Sequence, residues 1–150
     1  MIRQMDALGA KTIHDFHEQW STYTENSGFY ASKELFEDII HPWITAADLK
    51  DRIVVDIGSG TGRIVNMLLA CDVSWVIAVE PAPRASAVLR RNTQANAARI
   101  DDRNIPGEAR PPDLAADFVV SIGVVHHIPE PGGTIRACFG ALRPGGKGAR

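Results

Sequence analysis

The segment 53-IVVDIGSGTGRI-64 carries most of the structural information in this chain. It begins with a run of β-branched apolar residues, which is typical of a buried strand. The carboxylate Asp56 lies near the end of this run, and the glycines Gly58, Gly60 and Gly62 follow at alternate positions. Glycine tolerates positive φ and has no Cβ to exclude a ligand. The segment therefore predicts a strand, a ligand-binding turn and the N-terminus of a helix, whose backbone N–H groups can face the ligand.

The residues around the turn favour a cationic ligand over a dinucleotide. The dinucleotide fingerprint is G-x-G-x-x-G, and Arg63 stands where its third glycine would be. Asp56 would repel a pyrophosphate, but it suits S-adenosylmethionine, which has an ammonium group, a sulfonium and no phosphate. We therefore expect S-adenosylmethionine as the cofactor, with an NAD-dependent oxidoreductase as the weaker alternative.

A second acid follows the next apolar run, 75-WVIAVEP-81. Glu80 comes about twenty residues beyond the glycines, the distance at which a strand-end acid meets the ribose in β-α-β nucleotide sites. A carboxylate can accept hydrogen bonds from both ribose hydroxyls. The alternative is an ordinary exposed Glu at a strand end. The intervening segment Ile64–Cys71 fits one helix that returns the chain to the sheet.

Four segments in fixed order resemble the motifs of class I S-adenosylmethionine-dependent methyltransferases of the small-molecule methyltransferase-domain type. They are Val54–Arg63, Glu80, 117-DFVVSIGVVHHIP-129 and 142-LRPGG-146. The resemblance runs from about Asp51 to Gly146. It implies a Rossmann-like parallel sheet with helices on both faces, S-adenosylmethionine as cofactor, and in-line methyl transfer to a small-molecule acceptor.

The resemblance also implies which residues bind the cofactor. Asp56 and the glycines would meet the methionine part, and Glu80 the ribose. Glu108 and Ala109 resemble the acid and small residue that meet adenine, although the family more often has Asp there, and Asp101 and Asp102 compete for the role. The full cofactor-binding set is Asp56, Gly58, Ser59, Gly60, Gly62, Glu80, Pro81, Glu108, Ala109, Ser121, Ile122, Gly123, Tyr23 and Tyr30.

Several of these assignments have structural alternatives. Ser59 and Thr61 could cap the helix as readily as touch the ligand. His126 and His127 could deprotonate a hydroxyl or amine acceptor, because histidine ordinarily titrates near neutral pH. The alternative is that one packs into the fold while the other caps a turn.

The rest of the chain reads as alternating helices and strands in one structural domain. Residues 1–50 form a helical cover, or lid, over a core formed by residues 51–150. Within the cover, Thr12–Thr24 predicts an amphipathic helix that ends before Asn26, and Tyr23 or Tyr30 is expected to contact the ligand. In the core we predict a helix over Ala85–Ile100 and a third strand near Arg103–Gly107. Ser32 is the expected N-cap of a helix in the cover.

The end of the chain predicts an incomplete core. The family has seven strands, whereas residues 145–150, GGKGAR, contain no strand-forming run. We therefore predict only four strands, in the order 3-2-1-4, with an open edge on the fourth. This leads us to expect a fragment, a truncated product, or self-association through that edge. It also leaves a catalytically incomplete cofactor-binding module as an alternative function.

Composition excludes several other classes. The 150 residues are 45% hydrophobic and 23% charged, with a net charge of −2, as in an ordinary globular domain. This balance gives no electrostatic reason to expect nucleic acid or an anionic membrane as a partner. Residues 1–10 lack the apolar core of a secretory signal, so a cytoplasmic location is expected. Cys71 and Cys138 are isolated, and we expect buried thiols and no metal site.

Overall fold

A parallel sheet forms the centre of the molecule. The computed structural model describes residues 25–109 and 114–149, together with Lys11 and His14. Within them, five strands are arranged in the order β3-β2-β1-β4-β5, and every neighbouring pair is parallel. The strands are β1 (Ile53–Ile57), β2 (Trp75–Val79), β3 (Ile100–Arg103), β4 (Ala116–Val120) and β5 (Leu142–Ala149). The predicted parallel α/β sheet is confirmed, including the order of its first four strands.

Two helices precede the first strand and three lie between strands, within the part of the chain that the structure describes. They are α1 (Lys33–Ile40), α2 (Ala46–Leu49), α3 (Arg63–Ala70), α4 (Pro83–Asn92) and α5 (Pro131–Ala141). Short 3₁₀ helices occupy Phe29–Ala31, Gln94–Arg99 and Val125–His127. The predicted N-cap is confirmed, because the Ser32 hydroxyl accepts a hydrogen bond from the Leu35 N–H. Helix α3 connects β1 to β2, α4 connects β2 to β3, and α5 connects β4 to β5. Such helical crossovers are the usual connection between parallel strands.

Two hydrophobic cores lie on opposite faces of the sheet. Side chains alternate between the faces of a strand, so Val54 and Val55 point in opposite directions. Val54 belongs to the core shared with α1, α3 and α4, whereas Val55 belongs to the core that includes Ala141 at the end of α5. Helices therefore cover both faces, as predicted.

The fifth strand corrects the sequence analysis. The prediction of four strands with no strand after residue 145 is wrong, because Lys147 and Gly148 pair with Phe118 and Val119 of β4. The ladder uses backbone N–H and C=O groups, so a glycine-rich segment of low strand propensity can still satisfy an open edge. A register shift before Phe118 accommodates the extra residues that follow Leu142. Because β5 covers the outer edge of β4, the expected self-association through that edge loses its physical basis.

Two predicted boundaries are also wrong. The third strand is Ile100–Arg103 rather than Arg103–Gly107, and the helix predicted over Ala85–Ile100 ends at Asn92. The backbone departs from helical geometry at Thr93 and again at Asn96, where φ is −113° and −120°, and β3 begins at Ile100. The helix predicted over Thr12–Thr24 and the candidate residue Tyr23 lie outside the described residues.

Candidate functional site

The carboxyl ends of β1, β2 and β4 meet at one edge of the sheet, where most of the predicted site residues lie. Asp56 in β1 is paired with Ala78 in β2 and with Val120 in β4. After β1 the N–H groups of Gly58 and Ser59 both donate to the Val79 carbonyl, at 2.8 and 3.1 Å. The turn therefore folds over the end of β2. In open parallel sheets this edge is where ligands bind.

Backbone geometry explains the three glycines of the turn. Gly58, Gly60 and Gly62 have φ values of 78°, 52° and 89°, in the region that disfavours other residues. A Cβ on Gly58 would also lie 2.5 Å from Val124, and one on Gly62 would lie 3.1 Å from Leu89. Packing against the protein therefore requires glycine at positions 58 and 62 even without a ligand.

Glu80 organises the turn. Its Oε2 accepts from the Gly60 N–H and its Oε1 from the Ala82 N–H, both at 2.8 Å. The side chain is buried, and burial raises the pKa of the carboxyl, although the two backbone hydrogen bonds oppose that shift. Pro81 lies between Glu80 and Ala82 in the sequence and is partly buried. The alternative of an ordinary exposed Glu at a strand end is therefore wrong.

Asp56 is a buried acid with unused hydrogen-bonding capacity. It is 1% exposed, and its Oδ2 has no hydrogen-bond partner among the described residues. Burial raises the pKa of this carboxyl to about 7, and the nearby Glu80 charge adds to the increase. A buried carboxylate oxygen without a partner is costly. A ligand that carries a positively charged hydrogen-bond donor would relieve that cost.

Neither hydroxyl of the turn caps the following helix. Ser59 Oγ donates to the Asp56 carbonyl at 2.9 Å, and Thr61 Oγ1 donates to Asn26 Oδ1 at 3.3 Å. Gly62 occupies the N-cap position of α3 and makes no side-chain cap. The capping alternative is therefore wrong for both hydroxyls, while contact with a ligand stays a prediction.

The N-terminal segment contacts the turn at two points. Asn26 Nδ2 donates to the Thr61 carbonyl at 3.0 Å. Arg63 Nη1 donates to the Tyr30 carbonyl at 3.1 Å, and the guanidinium carbon lies 4.3 Å from the centre of the Tyr30 ring. Tyr30 is 64% exposed, and its position beside the start of α3 brings it to the predicted site.

The segment after β4 forms another side of the site. Ser121 is buried, and its hydroxyl donates to the Ile57 carbonyl at 3.1 Å, which ties the ends of β4 and β1 together. Ile122 packs against one hydrophobic core, and Gly123 adopts a φ of 73°. These residues thus occupy the sheet edge that the sequence predicts for them.

His126 and His127 follow in the 3₁₀ helix and are both exposed. Their ring centroids are 3.8 Å apart. The alternative in which one histidine packs into the fold is therefore wrong. Both side chains remain accessible to an acceptor at the carboxyl edge of the sheet.

The predicted adenine contacts follow Gly107, where a Cβ would lie 3.0 Å from Ile57 at the end of β1. Glu108 is exposed in a turn near the start of α5, where a Cβ on Gly133 would lie 3.3 Å from the Glu108 Cβ. Ala109 is half-buried in the same turn. Asp101 and Asp102, which compete for the adenine contact, lie within β3 and not in a solvated turn, and they form ion pairs with Arg103 and Arg90 respectively.

Three asparagines near the site escape sequence reasoning. Asn26 and Asn92 donate to the Thr61 carbonyl, each at 3.0 Å, and Asn104 donates to the Glu80 carbonyl at 2.7 Å. Each contact joins segments far apart in sequence. Only Asn104 carries a sequence signal, because it directly follows a strand.

The described residues show neither a metal cluster nor a membrane span. Within these parts of the chain, no three His, Cys, Asp or Glu side chains gather closely enough to hold a metal ion. No helix among them combines the length and apolar character needed to cross a bilayer.

The matching family model is described as a methyltransferase domain and covers residues 55–147. The ubiquinone biosynthesis O-methyltransferase of Bordetella pertussis is 30% identical over 112 residues, which cover 69% of this chain and 44% of that protein. The tRNA U34 carboxymethyltransferase of Saccharophagus degradans is 33% identical over 104 residues, which cover 67% of this chain and 32% of that protein. The chain thus spans less than half the length of these two relatives.

Solved structures share the fold at lower identity. A protein from Methanococcus maripaludis, described as an S-adenosyl-L-methionine-dependent methyltransferase, matches with a TM-score of 0.65 and 20% identity over 97% of this chain and 59% of that one. The cyclase SpnF matches equally well, with a TM-score of 0.65 and 19% identity over 76% of this chain and 42% of that one. Because one of these neighbours is named for different chemistry, the structural likeness is a statement about the fold alone.

Proposed function

Because this chain belongs to the methyltransferase-domain family, and with it to the class I S-adenosylmethionine-dependent methyltransferases, we propose that it transfers a methyl group to a small-molecule acceptor. The observation that supports this best is a pair of buried carboxylates, Asp56 and Glu80, beside a glycine turn. Asp56 disfavours a phosphate-bridged ligand and suits a cationic one, whereas a strand-end acid such as Glu80 can meet the ribose of either ligand.

The described residues fit the cofactor of this family. The Oδ2 atom of Asp56 is buried without a partner and can accept from an ammonium group. Each Glu80 oxygen accepts one backbone N–H and retains a lone pair for a hydroxyl donor, so ribose binding can add to the existing bonds. When bound, S-adenosylmethionine supplies an activated methyl group on its sulfonium.

The protein's part in the reaction is alignment. Holding two reactants in line and excluding water is worth several kcal/mol of barrier, on the order of 7–11 in the best intramolecular cases. His126 and His127 are the proposed bases for an acceptor that must lose a proton, since both are exposed just beyond β4. An acceptor that is already ionised would need neither.

A small acceptor is supported by three observations. The relatives named for ubiquinone biosynthesis are O-methyltransferases of a small-molecule pathway, and the net charge of −2 provides no attraction for RNA. A cavity of about 110 Å³ between β4, β5 and α5 also borders Ser121 and Val125. Its lining is mostly apolar and could receive part of a ring. One relative is named as a tRNA U34 carboxymethyltransferase, so RNA is the alternative acceptor that an experiment must test.

Methyl transfer from radiolabelled S-adenosylmethionine tests the proposal. Catechol serves as the small hydroxylated acceptor and an unmodified tRNA transcript as the competitor, with Gly60→Val protein as the blank. We expect label in catechol and none above the blank in tRNA. Label in tRNA would contradict the small-molecule acceptor, and cofactor binding without transfer to either would favour the catalytically incomplete module.

A further inference from the structure

One half-buried asparagine connects the N-terminal segment to the glycine turn. Residues 25 and 27–30 are exposed, whereas Asn26 among them is half-buried. Its Nδ2 donates to the Thr61 carbonyl at 3.0 Å, and its Oδ1 accepts from the Thr61 hydroxyl at 3.3 Å. Asn26 therefore uses both ends of its amide on a single residue of the turn.

Thr61 lies between two glycines of that turn. Its neighbours Gly60 and Gly62 both have positive φ. Because glycine has many accessible backbone conformations, this part of the turn loses much conformational entropy when it is ordered. Thr61 itself is 4% exposed. Its carbonyl also accepts from Asn92 Nδ2 at 3.0 Å, so the turn is fixed from α4 as well as from the N-terminal segment.

A second contact continues the same attachment beyond Gly62. Arg63 donates to the Tyr30 carbonyl at 3.1 Å and stacks over the Tyr30 ring. The chain from Asn26 to Tyr30 thus follows the turn from Thr61 to Arg63. The N–H of the neighbouring Gly60 donates a hydrogen bond to Glu80 Oε2. The position of Thr61 therefore also affects the Glu80 carboxylate.

We propose that Asn26 is a positioning residue that holds the glycine turn in its cofactor-binding conformation through Thr61; this inference rests on the proposed function. Asn26 does so without touching the cofactor. A loosened turn populates its binding-competent conformation less often, and the apparent dissociation constant rises by the same factor. The Thr61 hydroxyl then acts only through Asn26.

A double-mutant cycle on S-adenosylhomocysteine binding tests the proposal. The variants are Asn26→Leu, Thr61→Val and the double variant, measured by isothermal titration. Asn96→Leu is the matched control, because Asn96 lies outside the turn. Its side-chain oxygen accepts a hydrogen bond of 3.0 Å from Arg99 Nη2, which the variant loses. Asn26→Ser is a second variant in case the leucine side chain impairs folding. Hydrogen exchange of the ligand-free proteins follows the Gly60 and Gly62 amides, both of which are bonded in the turn.

We expect Asn26→Leu to weaken binding about tenfold, because it removes two hydrogen bonds to Thr61. Thr61→Val removes one of them and should weaken binding about threefold. The double variant should bind no more weakly than Asn26→Leu alone, and the control should bind like the wild type. The Gly60 and Gly62 amides should exchange faster in the Asn26 variants.

Additive losses, or unchanged binding by both Asn26 variants, would overturn the proposal. Additivity would mean that the Thr61 hydroxyl touches the ligand directly. If the wild type fails to bind S-adenosylhomocysteine, the proposed function fails, and the exchange rates then decide separately whether Asn26 orders the turn.

Discussion

Two acids at the site have opposite surroundings. Glu80 has a backbone donor on each oxygen, whereas Asp56 has an oxygen with no partner among the described residues. Glu80 therefore stabilises the turn in the free protein. The burial of Asp56 favours its neutral form in the free protein.

Cofactor binding should depend on pH through Asp56. Burial raises the pKa of Asp56 from 3.8 to about 7 in the free protein, and a bound ammonium group would lower it again. We expect S-adenosylhomocysteine to bind more tightly as pH rises through about 7, with release of up to one proton. Titration calorimetry in two buffers of different ionisation enthalpy measures that proton.

Asp56→Asn is the control for this prediction. It should bind weakly and without proton release near neutral pH. The free wild type should also lose stability as pH rises from about 4 to about 7, because only its unfolded state ionises Asp56 over that range, whereas the Asn variant should lack this contribution. Wild-type binding that is independent of pH would contradict the role given to Asp56.

Replacing Glu80 by Gln should damage both stability and binding. An amide keeps one acceptor, so either Gly60 or Ala82 would face an NH₂ group instead of an oxygen. We expect a loss of about 1–3 kcal/mol in the free energy of unfolding and at least tenfold weaker S-adenosylhomocysteine binding. Urea unfolding and calorimetry check these values. The same change at the exposed Glu34, in the first turn of α1, should leave binding unchanged and lower stability by at most about 1 kcal/mol through the helix dipole. Equal losses of binding at the two positions would refute the assignment.

At the scale of elements, the strands β1 and β2 could be predicted and β5 could not. The runs at Ile53–Ile57 and Trp75–Val79 are apolar and β-branched, so local pattern alone identifies them. β5 has the sequence LRPGGKGA, which no propensity scale would favour. It becomes a strand because β4 offers an unpaired row of backbone groups, which is a long-range cause.

Two glycines of β5 give a matched test of this element. A Cβ on Gly146 would lie 2.9 Å from the Asp117 carbonyl and 3.0 Å from the Arg143 carbonyl, whereas a Cβ on Gly148 would meet nothing closer than 3.9 Å. Gly146→Ala should therefore lower the free energy of unfolding by about 1–3 kcal/mol, because the backbone must shift. Gly148→Ala should change it by less than about 0.5 kcal/mol. Comparable urea midpoints for the two variants would mean that β5 is not docked as described.

At the scale of the whole molecule, the sequence predicts residues for the cofactor half of the candidate site but few for the acceptor half. Strand-end acids and alternating glycines are local signals with a direct physical meaning. The contacts that complete the site are not local: Asn26 and Thr61 are 35 residues apart, and Ser121 and Ile57 are 64 apart. The proposed acceptor side has no comparable motif, because an apolar lining can be built from many residue types at no fixed spacing.

The central claim is that the turn after β1 holds a sulfur nucleoside that carries an ammonium group, and not a phosphate-bridged dinucleotide. Calorimetric titration of the purified protein with S-adenosylhomocysteine and, separately, with NAD⁺ tests it most directly. We predict saturable one-to-one binding of S-adenosylhomocysteine, its loss in a folded Gly60→Val variant, and no heat of binding with NAD⁺. Binding of NAD⁺, or the absence of binding by either molecule, would contradict the account.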